Sequence, residues 1–104
     1  MGWVFAAGRE ELAESGRIWL KAGGQALFLL MAGGEVFALK NECPHLGCTM
    51  HRGKLDGYLL WCPCHDWVFD VRTGEFTVAP EIRIPVYPVK TEGDSIMVNT
   101  EVAR

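Results

Sequence analysis

Two short boxes in this chain have the residue types and spacing to bind metal: Cys43-Pro44-His45-Leu46-Gly47-Cys48 and Cys62-Pro63-Cys64-His65. Each sets one thiol and one imidazole close together, Cys-x-His in the first and Cys-x2-His in the second. Together they make a two-cysteine, two-histidine donor set. Thiolate and neutral imidazole both suit zinc and iron. A tetrahedral zinc ion accepts four such donors, but zinc fingers place their cysteines in one box and their histidines in the other. Here each box mixes the two types, which suits two chemically different metal ions better than one zinc; zinc is the competing reading. No nucleophile and base pair, nucleotide-binding glycine motif or open metal position is visible, so the chain is not expected to be a catalyst by itself.

The residues around the boxes narrow the choice. Pro44 and Gly47 lie in the first box, Gly53, Leu55 and Gly57 follow it, and Trp67, Phe69, Asp70, Thr73 and Gly74 follow the second. In ligands and flanks together the chain resembles the Rieske iron–sulfur proteins. The resemblance covers nearly the whole chain and implies a [2Fe-2S] cluster, one per chain, with Cys43 and Cys62 on one iron and His45 and His65 on the other. Two neutral imidazoles in place of two thiolates make the centre less negative. That raises the potential from about −400 mV for all-cysteine plant-type clusters to roughly −150 to +300 mV.

Cys48 and Cys64 are left over by this assignment. They stand where high-potential members of the family carry a pair bridging the two cluster loops, so the resemblance implies a Cys48–Cys64 disulfide. Two reduced, buried thiols are the alternative, favoured by a reducing cytoplasm. The next positions point the other way. Where high-potential members carry a serine and a tyrosine, this chain has Trp67 and Phe69, which offer the cluster sulfurs no hydroxyl donor. Asp66 replaces the usual glycine and adds negative charge. These three residues imply a low to intermediate potential within the Rieske range.

The elements that position these boxes are those of one small domain, residues 1–104. Short runs rich in Val, Ile, Phe, Trp and Tyr recur between glycine turns, and no segment sustains a helical apolar stripe, so the chain is read as all-β. Strands are expected near Trp3–Ala6, Ile18–Lys21, Ala26–Met31, Val36–Lys40, Tyr58–Trp61, Val68–Asp70, Val86–Thr91 and Ser95–Thr100. Gly23-Gly24 and Gly33-Gly34 serve as turns. Arg9–Glu14 is expected to form one helical turn. The resemblance implies a Rieske-like antiparallel β-sandwich base with a small cluster-binding subdomain inserted at approximately 41–76. Pro80 and Pro85 either cover the cluster, as the family's proline loop does, or interrupt strand edges. Trp3, Trp19 and Trp61 are read as core, and His51 as a solvated loop residue outside the ligand boxes.

Composition excludes several functions. A net charge of −3, with 22% charged residues of mixed sign, offers no basic stripe for nucleic acid. The longest apolar run, 26–32, is too short for a membrane span, and a cytoplasmic location is expected. The expected function is a one-electron carrier, a Rieske-type ferredoxin, working between a reductase and a terminal oxidoreductase. Its rivals are a small Rieske subunit of a nitrite reductase or oxygenase complex, a zinc-bound interaction domain, and a redox sensor switching through Cys48 and Cys64. Glu10, Glu11 and Glu14 are either a docking face for a basic partner or a solvated turn.

Overall fold

The computed structural model describes residues 2–44, 47–64 and 66–102. In chain order its elements are β1 (Trp3–Gly8), α1 (Arg9–Ser15), β2 (Arg17–Ala22), β3 (Gln25–Ala32), β4 (Glu35–Lys40), a 3-10 turn (Met50–Arg52), β5 (Lys54–Asp56), β6 (Leu59–Trp61), β7 (Val68–Asp70), β8 (Val86–Tyr87), β9 (Val89–Glu92) and β10 (Ser95–Asn99). The strands form three antiparallel sheets, ordered β1-β10-β9, β2-β3-β4-β8 and β5-β6-β7. Segments on both sides of the ligand boxes thus build the first two sheets, while β5 to β7 make a third of their own.

The apolar run at 26–32 becomes the central strand, β3. Because strand side chains alternate, it feeds two buried groups at once. Leu27 and Leu29 pack with Ala7, Leu12, Ala38, Tyr87, Ile96 and Val98. Phe28 and Leu30 pack with Leu39, Cys43, Met50, Leu60, Cys62, Phe69, Val71 and Ile84. A strand buried on both faces has no room for polar alternation, hence the unbroken run. Each such large apolar side chain stabilises the fold by about 1.5–3 kcal/mol. Both cysteines free of the disulfide described below therefore sit in one apolar wall, against the same sheet that carries the rest of the protein.

Paired glycines close both hairpins of this sheet. Gly33 and Gly34 have φ of 59° and 79°, the left-handed values that a two-residue hairpin turn requires.

Several expectations need correction. The helical segment is longer than one turn, Arg9–Ser15, and ends at Gly16, whose N–H donates to the Leu12 carbonyl (2.7 Å). The strand expected over Val86–Thr91 is two strands in different sheets. Pro88 stands between them and its carbonyl accepts the Asn99 N–H (3.0 Å). β5 was not expected at all, because Lys54-Leu55-Asp56 is too short and too charged to read as a strand. None of the three tryptophans read as core is there. Trp19 is 63% exposed, and Trp3 and Trp61 are half-buried beneath the ammonium groups of Lys90 and Lys54. Pro80 interrupts no strand; it is exposed, in a loop closed by the Phe76 N–H on the Ile82 carbonyl (2.9 Å).

Candidate metal centre

One backbone hydrogen bond spans each box. Cys43 N–H donates to the Cys48 carbonyl, and Cys62 N–H donates to the Trp67 carbonyl, each at 2.8 Å. Each cysteine thus ties the start of its loop to the residue five positions on. In the first loop Gly47 turns back with φ 75°, and its N–H donates to the Cys43 carbonyl (2.8 Å).

The four cysteines sort into two kinds. Cys48 and Cys64 form a disulfide, with Cα atoms 6.4 Å apart, that joins the two loops. Cys43 and Cys62 take no part in that disulfide; they are 1% and 4% exposed, one at the start of each loop. Met50, Leu60 and Phe69 share their buried group. This donor chemistry fits an iron–sulfur group: two buried cysteines outside the disulfide sit in an apolar wall, on loops that a covalent link keeps together. His45 and His65 lie outside the described residues.

Three further residues were singled out by the sequence. Phe69 is fully buried among the same side chains as Cys43 and Cys62. Trp67 packs against that group and stacks on Phe76, with centroids 4.2 Å apart and planes 8° from parallel. Phe76 lies 5.5 Å from Phe69, so an aromatic triad supports the second loop. Asp66 is exposed. Asp70 starts the turn that follows. It accepts two hydrogen bonds from the Arg72 guanidinium (3.0 and 2.8 Å), which holds its carboxyl below the usual carboxylate range. Gly74 closes the turn with φ 81°, and any Cβ there would collide with the Ile84 carbonyl.

The structure adds residues that sequence reasoning misplaced or missed. His51 is not a solvated loop residue: it lies on the 3-10 turn, stacks on Trp19 (4.9 Å) and hydrogen-bonds Asn41. Burial, then the nearby Arg52 and Arg17 cations, lowers its pKa. Arg17 clamps the same turn, donating from one nitrogen to the carbonyls of His51 (3.0 Å) and Gly53 (2.6 Å). Asn41, Arg17 and His51 thereby brace the first loop against β2 and β4. Their only sequence signal was a polar Asn41 directly after an apolar strand.

The profile of the Rieske [2Fe-2S] domain matches residues 2–88. The ferredoxin component of the naphthalene 1,2-dioxygenase system of Pseudomonas aeruginosa is 36% identical over 98 residues, 93% of this chain and 94% of the relative. The ferredoxin component of the naphthalene 1,2-dioxygenase/salicylate 5-hydroxylase systems of a Ralstonia species is 34% identical, over 95% and 96% of the two chains. Among solved structures, the ferredoxin of carbazole 1,9a-dioxygenase from Nocardioides aromaticivorans superposes with a TM-score of 0.83 at 26% identity, covering 94% of this chain and 97% of its own. The terminal oxygenase of that system gives 0.84 at 28% identity, but over 29% of its larger chain.

Proposed function

This chain belongs to the Rieske [2Fe-2S] family, and we propose that it is the ferredoxin of an oxygenase system, taking one electron from a reductase and delivering it to a terminal oxygenase. The cluster, one per chain, supplies reversible one-electron chemistry when bound, so the protein is an electron carrier within an oxidoreductase system and not a catalyst in its own right. Family membership removes the structural-zinc reading. The dioxygenase assignment rests on relatives named as ferredoxin components and matched over nearly their full length. The same match favours a carrier over a small nitrite reductase subunit.

The observation that carries the residue assignment is the sorting of the four cysteines. Cys48 and Cys64 hold each other, which leaves Cys43 and Cys62 as the thiolate donors; His45 and His65 complete the set by motif. The inserted segment at approximately 41–76 is the cluster-binding subdomain in this proposal. Its residues do three things. The loop backbones orient the donors, the Met50, Leu60 and Phe69 wall excludes water, and Trp67 with Phe76 stiffens the second loop. With no hydroxyl at Trp67 or Phe69 and a carboxylate at Asp66, the midpoint lies in the low to intermediate part of the Rieske range.

The cytoplasmic location expected from the sequence is carried as part of this proposal. Among the described residues no helix is long and apolar enough to cross a membrane. Alkylating free thiols in intact cells before lysis tests the location and the disulfide together, since a reducing cytoplasm works against a Cys48–Cys64 bond. The function itself is tested by an anaerobic potentiometric titration followed by EPR and absorbance. A reversible one-electron Rieske signal at low potential, independent of pH around neutrality, is the expected result. A high, pH-dependent midpoint would replace the oxygenase reading with a quinol-linked one.

A further inference from the structure

Trp19 occupies an unusual place. It pairs in register with the buried Phe28, so it points to the face of the central sheet that carries the ligand cysteines, yet as part of edge strand β2 it is 63% exposed. Its ring stacks on His51, whose charge is disfavoured by burial and then by the nearby Arg52 and Arg17. Lys21 is exposed two positions along β2, on the same face as Trp19. Arg52 and Lys54 are exposed just beyond His51. Among the described residues none of Lys21, Arg52 and Lys54 forms an ion pair, whereas the exposed acids of α1, Glu10, Glu11 and Glu14, lie on a different element. In a chain of net charge −3, two cations without an ion pair, Lys21 and Arg52, thus flank one exposed aromatic and its stacked histidine, with Lys54 two residues further on, its ammonium over the Trp61 ring.

The position of this patch gives it a use. His51 and Met50 are neighbours on the 3-10 turn. Met50 is wholly buried in the group that contains Cys43 and Cys62, while His51 faces Trp19. The cationic surface is therefore the outer side of the wall whose inner side lines the metal centre. We propose that Trp19, His51, Lys21, Arg52 and Lys54 form a docking face for an electron-transfer protein that presents carboxylates around its own redox centre. The aromatic supplies apolar contact area and the cations supply steering, the division of labour expected at a weak, fast, salt-sensitive interface. The proposal rests on the electron-carrier reading and adds a face and a partner charge to it.

The test is one-electron exchange with cytochrome b5, whose haem edge is ringed by carboxylates, and separately with cytochrome c, whose edge is ringed by lysines. In the reaction with cytochrome b5 one electron leaves the reduced protein, the ferric haem becomes ferrous, and no bond is made or broken; if the potentials demand it, the exchange is followed in reverse. Arg52→Glu with Lys54→Glu is compared with Arg9→Glu plus Lys90→Glu, an equal change of net charge on α1 and β9. The patch variant is expected to slow exchange with cytochrome b5 about tenfold at low salt and to flatten its salt dependence, with the distant variant changed less than twofold. Trp19→Ala is expected to slow it several-fold at any salt. Equal rates for wild type and patch variant, or equal losses in both charge variants, would overturn the docking face. So would capture by phosphatidylserine vesicles that only the patch variant loses, with cytochrome exchange unchanged. Failure of the underlying reading looks different: wild-type protein with no reversible Rieske signal.

Discussion

Asn41 and His51 grip each other twice. The Asn41 side-chain N–H donates to His51 Nδ1 and its carbonyl oxygen accepts the His51 backbone N–H, both at 2.9 Å. Asn41 directly follows β4 and His51 follows the loop of the first box, so this pair closes the loop at its neck. Because the backbone N–H fixes which end of the amide faces the ring, Nδ1 must be the acceptor, and the neutral imidazole carries its proton on Nε2. Protonation at Nδ1 would set two donors against each other.

A pH dependence follows. The His51 pKa is lowered in the fold by burial and by Arg52 and Arg17, so between the lowered value and about 6.5 the unfolded chain binds more protons than the folded one. His51 therefore contributes stability that is fully present above about 6.5 and is lost as pH falls through the lowered folded value. His51→Gln cannot titrate. In thermal melts from about pH 7.5 to about pH 5, wild type is expected to lose stability more steeply than the variant. Parallel curves would mean that the neck is indifferent to protonation.

The sorting of the cysteines gives a prediction with two opposite readouts. Cys43→Ser and Cys62→Ser are each expected to abolish the Rieske EPR signal and the visible absorbance. The double variant Cys48→Ser, Cys64→Ser is expected to keep both. Its cost is in the apoprotein: a link between residues 16 apart restricts the unfolded chain by about 3 kcal/mol. Chemical denaturation of the apo forms measures this, and loss of the EPR signal in the double variant would mean that the disulfide, not the backbone ties at Cys43 and Cys62, holds the loops in register.

Gly53 is needed for closeness and not for its φ, which is an ordinary −71°. A Cβ there would run into the Trp61 carbonyl, with the Met50 carbonyl at 3.1 Å. Gly53→Ala must push β6 away from the 3-10 turn, and overpacking of this kind costs about 1–3 kcal/mol. The midpoint of denaturant unfolding reports the loss. A wild-type midpoint would show that β6 can retreat freely, and with it the wall in front of Cys62.

How far the sequence could be read depends on which forces placed each residue. The two Cys/His boxes could be singled out because metal chemistry restricts residue type and spacing locally. The central strands were legible because burial on both faces erases polar alternation, as at 26–32. Trp19 and His51 were misread because composition favours burying a tryptophan and solvating a histidine. Their contact joins β2 to a turn more than thirty residues away, and only the packed sheet brings them together. Pro88 had a visible signal, since a proline within an apparent strand argues for a break, and that signal correctly divides Val86–Tyr87 from Val89–Glu92. What remained hidden was that the two pieces join different sheets, a matter of long-range pairing.

Phe69 is buried among the side chains that surround Cys43 and Cys62, and its ring also braces Phe76, so Phe69→Tyr adds a hydroxyl with almost no change of shape. If that hydroxyl reaches a cluster sulfur, its hydrogen bond favours the more negative, reduced state and the midpoint rises, while folding stability stays near that of wild type. If it reaches no acceptor, the midpoint is unmoved and the protein loses about 1–3 kcal/mol for a buried, unsatisfied polar group. Measuring both quantities on one variant separates the two cases. A raised midpoint is expected, because Phe69 packs in the same buried group as Cys43 and Cys62. An unmoved midpoint with lost stability would make Phe69 a packing residue alone and leave the proposed low potential to charge, with Asp66→Gly as the variant that must then raise it.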